Sequence, residues 1–413
     1  MIVSEHKNSV NNSSIVLYSI FFIVIFISDD TFNFGTNGDF TYFIFKYLVY
    51  FFLTLYLLMN SNLRFLTVLT KSSLVFYMVV LSVLLTAFFN FDLSGGYVYQ
   101  IWLFLLGFLI VNFFTPKQFV DVYIKYIYFL SVVSLIVFVI ANISTDLFSI
   151  FPVQTNTADA NVYNIGVCMV SANHENIRNM GIFREPGVYM IYLNLAIIFE
   201  LFFKSEINKR NVFVFIITIF TTLSTAAFIA LGTIFIAFLF TKSKTRASVK
   251  SKRFIIAMAL IALGVVVLSG ELYSMVFDKI GKDNIADGSS LARGISVLAN
   301  FNIFLDNFIF GVGIKDYPGS FGKYTLELTG FFMDVGNNTN TITTVLAVYG
   351  IFLGCFFIYM LISFAKKASN SILVRNLIFL VLIMFYSNED LRYSLLSAMM
   401  LMWGLTSRKE IDV

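Results

Sequence analysis

Charge is scarce in this chain: 13% of its 413 residues are Asp, Glu, Lys or Arg, against about 25% in soluble proteins. That scarcity excludes an ordinary soluble fold, whose surface needs charge to stay hydrated. Histidine occurs only twice, at His6 and His174, and cysteine twice, at Cys168 and Cys355. One cysteine lies in a loop and the other inside an apolar run, so they make no disulfide framework. The sequence has no His cluster and no acidic pair at metal-ligand spacing, so neither a metal nor another cofactor is expected. No small-x-small cleavage site follows the first apolar run, which ends at Ser28-Asp29-Asp30; a retained first helix is expected. The net charge of +4 comes from short basic segments between apolar runs, which argues membrane orientation and no nucleic-acid partner. No cytoplasmic segment is long enough for a separate sensor or scaffold domain.

What is abundant is apolar: 58% of the residues are hydrophobic, with 50 phenylalanines. The apolar residues run continuously, without a polar helical face, for stretches near the ~20 residues a bilayer requires. The expected fold is an all-α polytopic membrane protein, a single integral membrane domain over 1–413. Spans are read at 15–28, 40–59, 73–91, 97–115, 123–143, 187–203, 212–240, 254–270, 340–364, 372–387 and 391–406. Connections alternate between basic and acidic. Arg64 and Lys71, Lys117 and Lys125, Lys204 to Arg210, Lys242 to Arg253, Lys366 to Arg375, and Arg408 with Lys409 are basic. Asp29, Asp30, Asp39, Asp92, Glu389 and Asp390 occupy the others. Basic connections stay in the cytoplasm.

One stretch breaks that alternation. Val212 to Phe240 would be roughly 44 Å long as one helix, yet both flanks are basic. A split near Thr221-Thr222-Leu223-Ser224-Thr225 restores the rule, because polar backbone at depth is tolerated against protein or water. About twelve spans then result, with both termini cytoplasmic and two large extracytoplasmic loops, 144–186 and 271–339. Loops of that length usually carry function.

The first loop ends in Arg178-Asn179-Met180-Gly181-Ile182-Phe183-Arg184-Glu185-Pro186-Gly187. Pro186 suits the first turn of a helix, which sets Glu185 near the positive end of the helix dipole. Two arginines and a carboxylate are thereby held at the membrane surface, and His174 is the one histidine outside. The second loop carries Arg293, and at about 100° per residue Arg293, Ser296, Asn300 and Asn307 share one helix side. That helix is expected at the interface or packed on the bundle. Asn338 and Asn340, in Gly336-Asn337-Asn338-Thr339-Asn340-Thr341, can either bind sugar hydroxyls or cap the next helix. Asn388 to Arg392 reads as a solvated outer turn.

With these residues in place the chain resembles the Wzy-type polymerases of bacterial O-antigen and capsule, members of the O-antigen polymerase and ligase superfamily. The resemblance rests on the Arg178–Gly187 segment, on Arg293 followed by Gly311-Val312-Gly313, and on Asn338-Thr339-Asn340-Thr341 with Tyr349-Gly350-Ile351. The ligase branch is similar but typically has a histidine in the second loop near the next helix. This sequence has Asn338 or Asn340 there and no histidine in that loop, which favours polymerase.

The resemblance implies a GT-C-like bundle of about twelve transmembrane helices in the bacterial inner membrane. It implies metal-independent glycosyl transfer between undecaprenyl-diphosphate-linked glycans, in company with a chain-length regulator and a flippase. Arg178, Arg184 and Arg293, with Asn338 and Asn340, would hold the diphosphate and substrate. Glu185, or else His174, would take the proton of the acceptor hydroxyl. The alternatives are an O-antigen ligase and a lipid-linked oligosaccharide flippase. A carrier usually places charges within its helices around a midplane cavity, and Lys46 is the clearest charge inside a span.

Overall fold

The computed structural model describes residues 14–35, 40–60, 70–155, 161–172, 177–241 and 288–405. Helices dominate: α1 (Ser14–Phe26), α2 (Phe32–Gly35), α3 (Phe40–Asn60), α4 (Lys71–Phe89), α5 (Gly95–Phe113) and α6 (Pro116–Ile143). There follow α7 (Pro186–Phe202), α8 (Lys209–Thr221), α9 (Thr225–Leu239), α10 (Gly288–Asp306), α11 (Tyr317–Thr329), α12 (Thr341–Ala368), α13 (Ile372–Asn388) and α14 (Leu395–Leu405). Five of these are long and apolar enough to cross a membrane: α3, α5, α6 and α12 in full, and Ser72–Phe89 of α4. α1, α7, α9, α13 and α14 are apolar but shorter. The expected span at 254–270 and the basic cluster from Lys242 to Arg253 lie outside the described residues.

Large apolar side chains face outward. On α3, Phe45, Leu48, Phe51, Phe52 and Leu55 are all exposed. Such a face is not left to water by a soluble protein; in lipid it costs nothing. α7 is the opposite case, for every residue from Gly187 to Leu201 is buried. It packs against α6, α8 and α9 and forms the axis of the bundle.

The stretch 209–239 is two helices. α8 ends at Thr221, Leu223 takes a left-handed φ of 49°, and α9 begins at Thr225. The exposed backbone at this break is occupied: Asn179 N–H donates to Thr221 O at 2.9 Å, and Arg178 Nε to Thr222 O at 3.0 Å.

The all-α expectation missed one feature. A three-stranded antiparallel sheet, β1 (Val153–Thr155), β2 (Asn161–Asn164) and β3 (Met169–Ser171), occupies the segment between α6 and α7. Its register pairs Val153 with Tyr163 and Val162 with Ser171. Strands of three or four residues are too short to show alternation in a sequence. Met169 N–H donates to Gly181 O at 2.7 Å, so the sheet buttresses the Arg178–Gly187 segment.

Connections gather at two ends of the bundle. At one, Thr31 bridges Phe183, Asn90 Nδ2 donates to Gly311 O at 3.2 Å, and Thr341 Oγ1 donates to Glu389 O at 2.6 Å. At the other, Lys125 Nζ donates to Tyr18 OH at 2.7 Å and Lys204 pairs with Asp121 at 3.3 Å. Ser72 Oγ also donates there to Leu405 O at 2.5 Å.

Two glycines interlock the second long segment with α12. Gly350 breaks α12 with φ 75° and ψ −168°, a region nearly closed to other residues. The chain after α10 docks into that break: Ile351 N–H donates to Phe308 O at 3.0 Å and Val312 N–H to Ala347 O at 2.9 Å. A Cβ on Gly311 would overlap the Val348 carbonyl, and one on Gly350 the Ile309 carbonyl. Gly350→Ala is therefore expected to cost at least about 1–3 kcal/mol from backbone strain alone. Thermal unfolding of the purified protein in detergent checks this, and an unchanged midpoint would contradict the interlock.

Candidate functional site

Arg184 is the centre of the first end. Its N–H donates to Asp30 O at 3.0 Å and its Nη2 to Asp390 O at 2.7 Å. The same Nη2 lies 3.9 Å from Glu389 Oε2. Burial works against its charge, but Glu389, Asp30 and Glu185 outweigh that and raise its pKa above the ordinary arginine value. Arg184 thus remains a cation with acidic groups from three connections around it.

Arg178 and Arg293 join the same electrostatic cluster. Burial pulls the pKa of Arg178 down and Arg293 adds to the effect, while Glu185 and Glu389 oppose it. Arg293 stands in the first half of α10, which packs on α12 with Ser296 and Asn300 fully buried. α10 therefore packs on the bundle, as one of the two expected placements has it, with Leu298, Phe301 and Leu305 exposed on its other side. Its polar stripe feeds a network: Asn300 Nδ2 donates to Asn338 Oδ1 at 3.2 Å, and Tyr317 OH to Asn300 Oδ1 at 2.8 Å.

Asn338 and Asn340 lie beside this network, but their side chains are engaged in the framework. Asn338 Nδ2 donates to Thr344 Oγ1 at 2.6 Å and to Tyr317 OH at 3.1 Å. Asn340 caps α12, accepting from Thr343 N–H at 2.9 Å. Thr339, between them in the same run of Asn and Thr donors, has its Oγ1 buried without a hydrogen-bond partner.

Glu185 is exposed, and although it occupies the N-cap position of α7 its side chain makes no capping hydrogen bond. His174 lies outside the described residues. The segment 388–392 departs from the solvated turn expected of it: Asn388 and Glu389 are buried, Glu389 only 3% exposed. Asp390 binds Arg392 through three contacts of 2.7–3.0 Å. Although burial raises the Asp390 pKa, Arg392 overcomes this and holds it below the usual carboxylate value. Mixed charge in a short turn looks solvated when read alone; what buries it is Arg184, a partner some two hundred positions away.

Three acids therefore meet at this end with different degrees of satisfaction. Asp30 accepts from Tyr192 OH at 2.6 Å and from Ser394, and Asp390 has its guanidinium partner. Glu389 has one long hydrogen bond, 3.4 Å from Asn388 Nδ2, and the distant Arg184. Burial, then the nearby Glu185, push its pKa up to about 8 against the pull of Arg184 and Arg293.

Among the described residues five buried side-chain polar atoms have no hydrogen-bond partner, and three belong here: Arg184 Nε, Arg293 Nε and Thr339 Oγ1. Native proteins rarely leave buried donors unpaired. Two unpartnered guanidinium N–H groups, in a cluster of arginines and carboxylates, offer donors to an anionic, oxygen-rich ligand.

A carboxyl whose pKa rises on folding costs stability once the pH passes its unfolded value near 4.5, and the full cost is reached above about 8. Glu389→Gln is therefore expected to melt higher than wild type above that pH and level with it at about pH 5. A midpoint lowered equally at both would show that the carboxylate is stabilising.

Comparison with known proteins comes down to one finding. Residues 211–358 match the family model described as O-antigen ligase. No curated protein and no solved structure matches the chain. The matched stretch includes Arg293, Asn338, Asn340 and both interlocking glycines, and it omits Arg178, Arg184, Glu185 and Glu389. The match covers less than half of the chain, likens that stretch to the O-antigen ligase family, and does not separate polymerase from ligase.

Proposed function

We propose that the protein is a GT-C-type glycosyltransferase that polymerises undecaprenyl-diphosphate-linked repeat units into O-antigen, capsule or exopolysaccharide. The observation that carries this reading is the pair of unpartnered guanidinium nitrogens on Arg184 and Arg293, in one charge cluster with Arg178. A diphosphate leaving group needs its growing charge balanced, and preset guanidinium donors in a dry site do so without reorganisation. Arg184 and Arg293 hold the diphosphate, Arg178 adds field, and a carboxylate takes the proton of the attacking hydroxyl. Asn338 and Asn340 act by setting the start of α12 and the buried network that supports Arg293.

The bundle sits in the bacterial inner membrane with about twelve spans and cytoplasmic termini. Segments 144–186 and 271–339 face outward, where a flippase would deliver substrate and a chain-length regulator would act. A ligase transferring finished chains is the second reading, favoured by the description of the matching family. The missing histidine of the second loop weighs against it. Transport is the weakest, because most charges lie in the connections between helices rather than around a midplane cavity.

Arg293→Ala and Arg184→Ala should each collapse the surface polysaccharide ladder to single-repeat caps at normal protein levels. Arg184→Lys, which keeps charge but not the planar fork, should recover only part of the ladder. Wild-type chain lengths in both alanine variants would remove these arginines from the reaction. Loss of every surface glycan, single repeats included, would point to ligation or transport instead.

A further inference from the structure

We propose that Glu389, in the short connection between α13 and α14, is the group that takes the acceptor hydroxyl's proton during glycosyl transfer. The inference rests on the glycosyltransferase reading above and names a residue that the family match does not reach. Four observations converge on it. First, its carboxylate is the least satisfied of the three acids at this end. A lone 3.4 Å contact from Asn388 leaves most of its acceptor capacity open, whereas Asp30 and Asp390 are tied by short hydrogen bonds. Second, it shares Arg184 and Arg293 as charge partners, the two arginines with unpaired N–H groups. The base is thereby set beside the place where the diphosphate would sit.

Third, the carboxylate is held by shape. A Cβ on Gly187, in the first turn of α7, would overlap Glu389 Oε1 and crowd Asn388 Nδ2. Only glycine at that position leaves room for the acid against α7. Its main-chain carbonyl is pinned as well, by Thr341 Oγ1 at 2.6 Å. Fourth, the groups facing it from neighbouring elements are Arg184, Glu185 and Arg178 before α7, Arg293 on α10 and Asp30 after α1. With burial they place its proton affinity near neutrality, where a general base works best. Glu185, by contrast, is exposed, and its charge acts on Glu389 from outside.

The step balances simply. The acceptor oxygen forms a bond to the anomeric carbon of the donor glycan while the bond from that carbon to the diphosphate oxygen breaks. The diphosphate leaves with the electron pair, and the hydroxyl proton passes to a Glu389 oxygen.

The test uses the full chain in membranes. The substrate is the lipid-linked repeat extracted from a strain deleted for this gene, and purified undecaprenyl diphosphate serves as the binding probe. Glu389→Gln should slow chain extension by at least about 100-fold while its affinity for undecaprenyl diphosphate stays within about threefold of wild type. The wild-type rate should climb with pH on a limb that vanishes in Glu389→Gln and persists in Glu185→Gln, which loses only a modest share of rate. Gly187→Ala meets only side-chain ends, so it should fold, bind the probe and extend chains slowly. Glu389→Asp should restore part of the rate together with the pH limb.

A wild-type rate in Glu389→Gln would overturn the proposal, as would parallel loss of binding and rate, which marks a structural role. A pH limb that survives in Glu389→Gln and disappears in Glu185→Gln would move the proton to Glu185 and leave the glycosyltransferase reading intact. Failure of the wild-type protein to bind the probe or extend the repeat would overturn both.

Discussion

Setting a guanidinium that is only 20% exposed at the end of an enclosed helix imposes most of what surrounds it. Arg184 enters the bundle two residues before Pro186 opens α7, and α7 is covered on all sides. An unpaired cation there would cost several kcal/mol. The surrounding connections therefore supply carboxylates and carbonyls: Asp30 from behind α1, and Glu389 and Asp390 from between α13 and α14. Elements far apart in sequence are drawn to one point because one charge needs them all.

That compensation is incomplete, and the incompleteness is informative. Arg184 and Arg293 each keep a buried N–H without a partner, and Glu389 keeps a carboxylate with one long hydrogen bond. A site built only for stability would close these gaps, since each open donor or acceptor carries a desolvation cost. Donors on one side and a basic carboxylate on the other are what a reaction needs when it expels a diphosphate and accepts a proton. The sheet, the break between α8 and α9 and the crossing at Gly311 and Gly350 hold the pieces of this site in register.

Much of this was legible in the sequence, for physical reasons. Long apolar runs announce helices in lipid, and the basic flanks of 212–240 required the break that Leu223 provides. Arg178, Arg184 and Arg293 stood out because they lie in the two long connections beside helix starts, and the structure brings them into one charge cluster. What could not be read was pairing across distance. Glu389 looks like any loop acid until Arg184 and Gly187 are placed against it. Asn338 and Asn340 read equally as ligands and as caps, because capping and ligand binding use the same amide chemistry. The sheet at 153–171 was too short to leave a periodic trace.

On the proposed reading the unpaired guanidinium donors await a lipid diphosphate. A structure of the full chain with undecaprenyl diphosphate bound tests it most directly. Phosphate oxygens should lie within hydrogen-bond distance of Arg184 Nε and Arg293 Nε, with Glu389 beside the headgroup. A headgroup bound elsewhere, with both nitrogens still unpartnered, would contradict it.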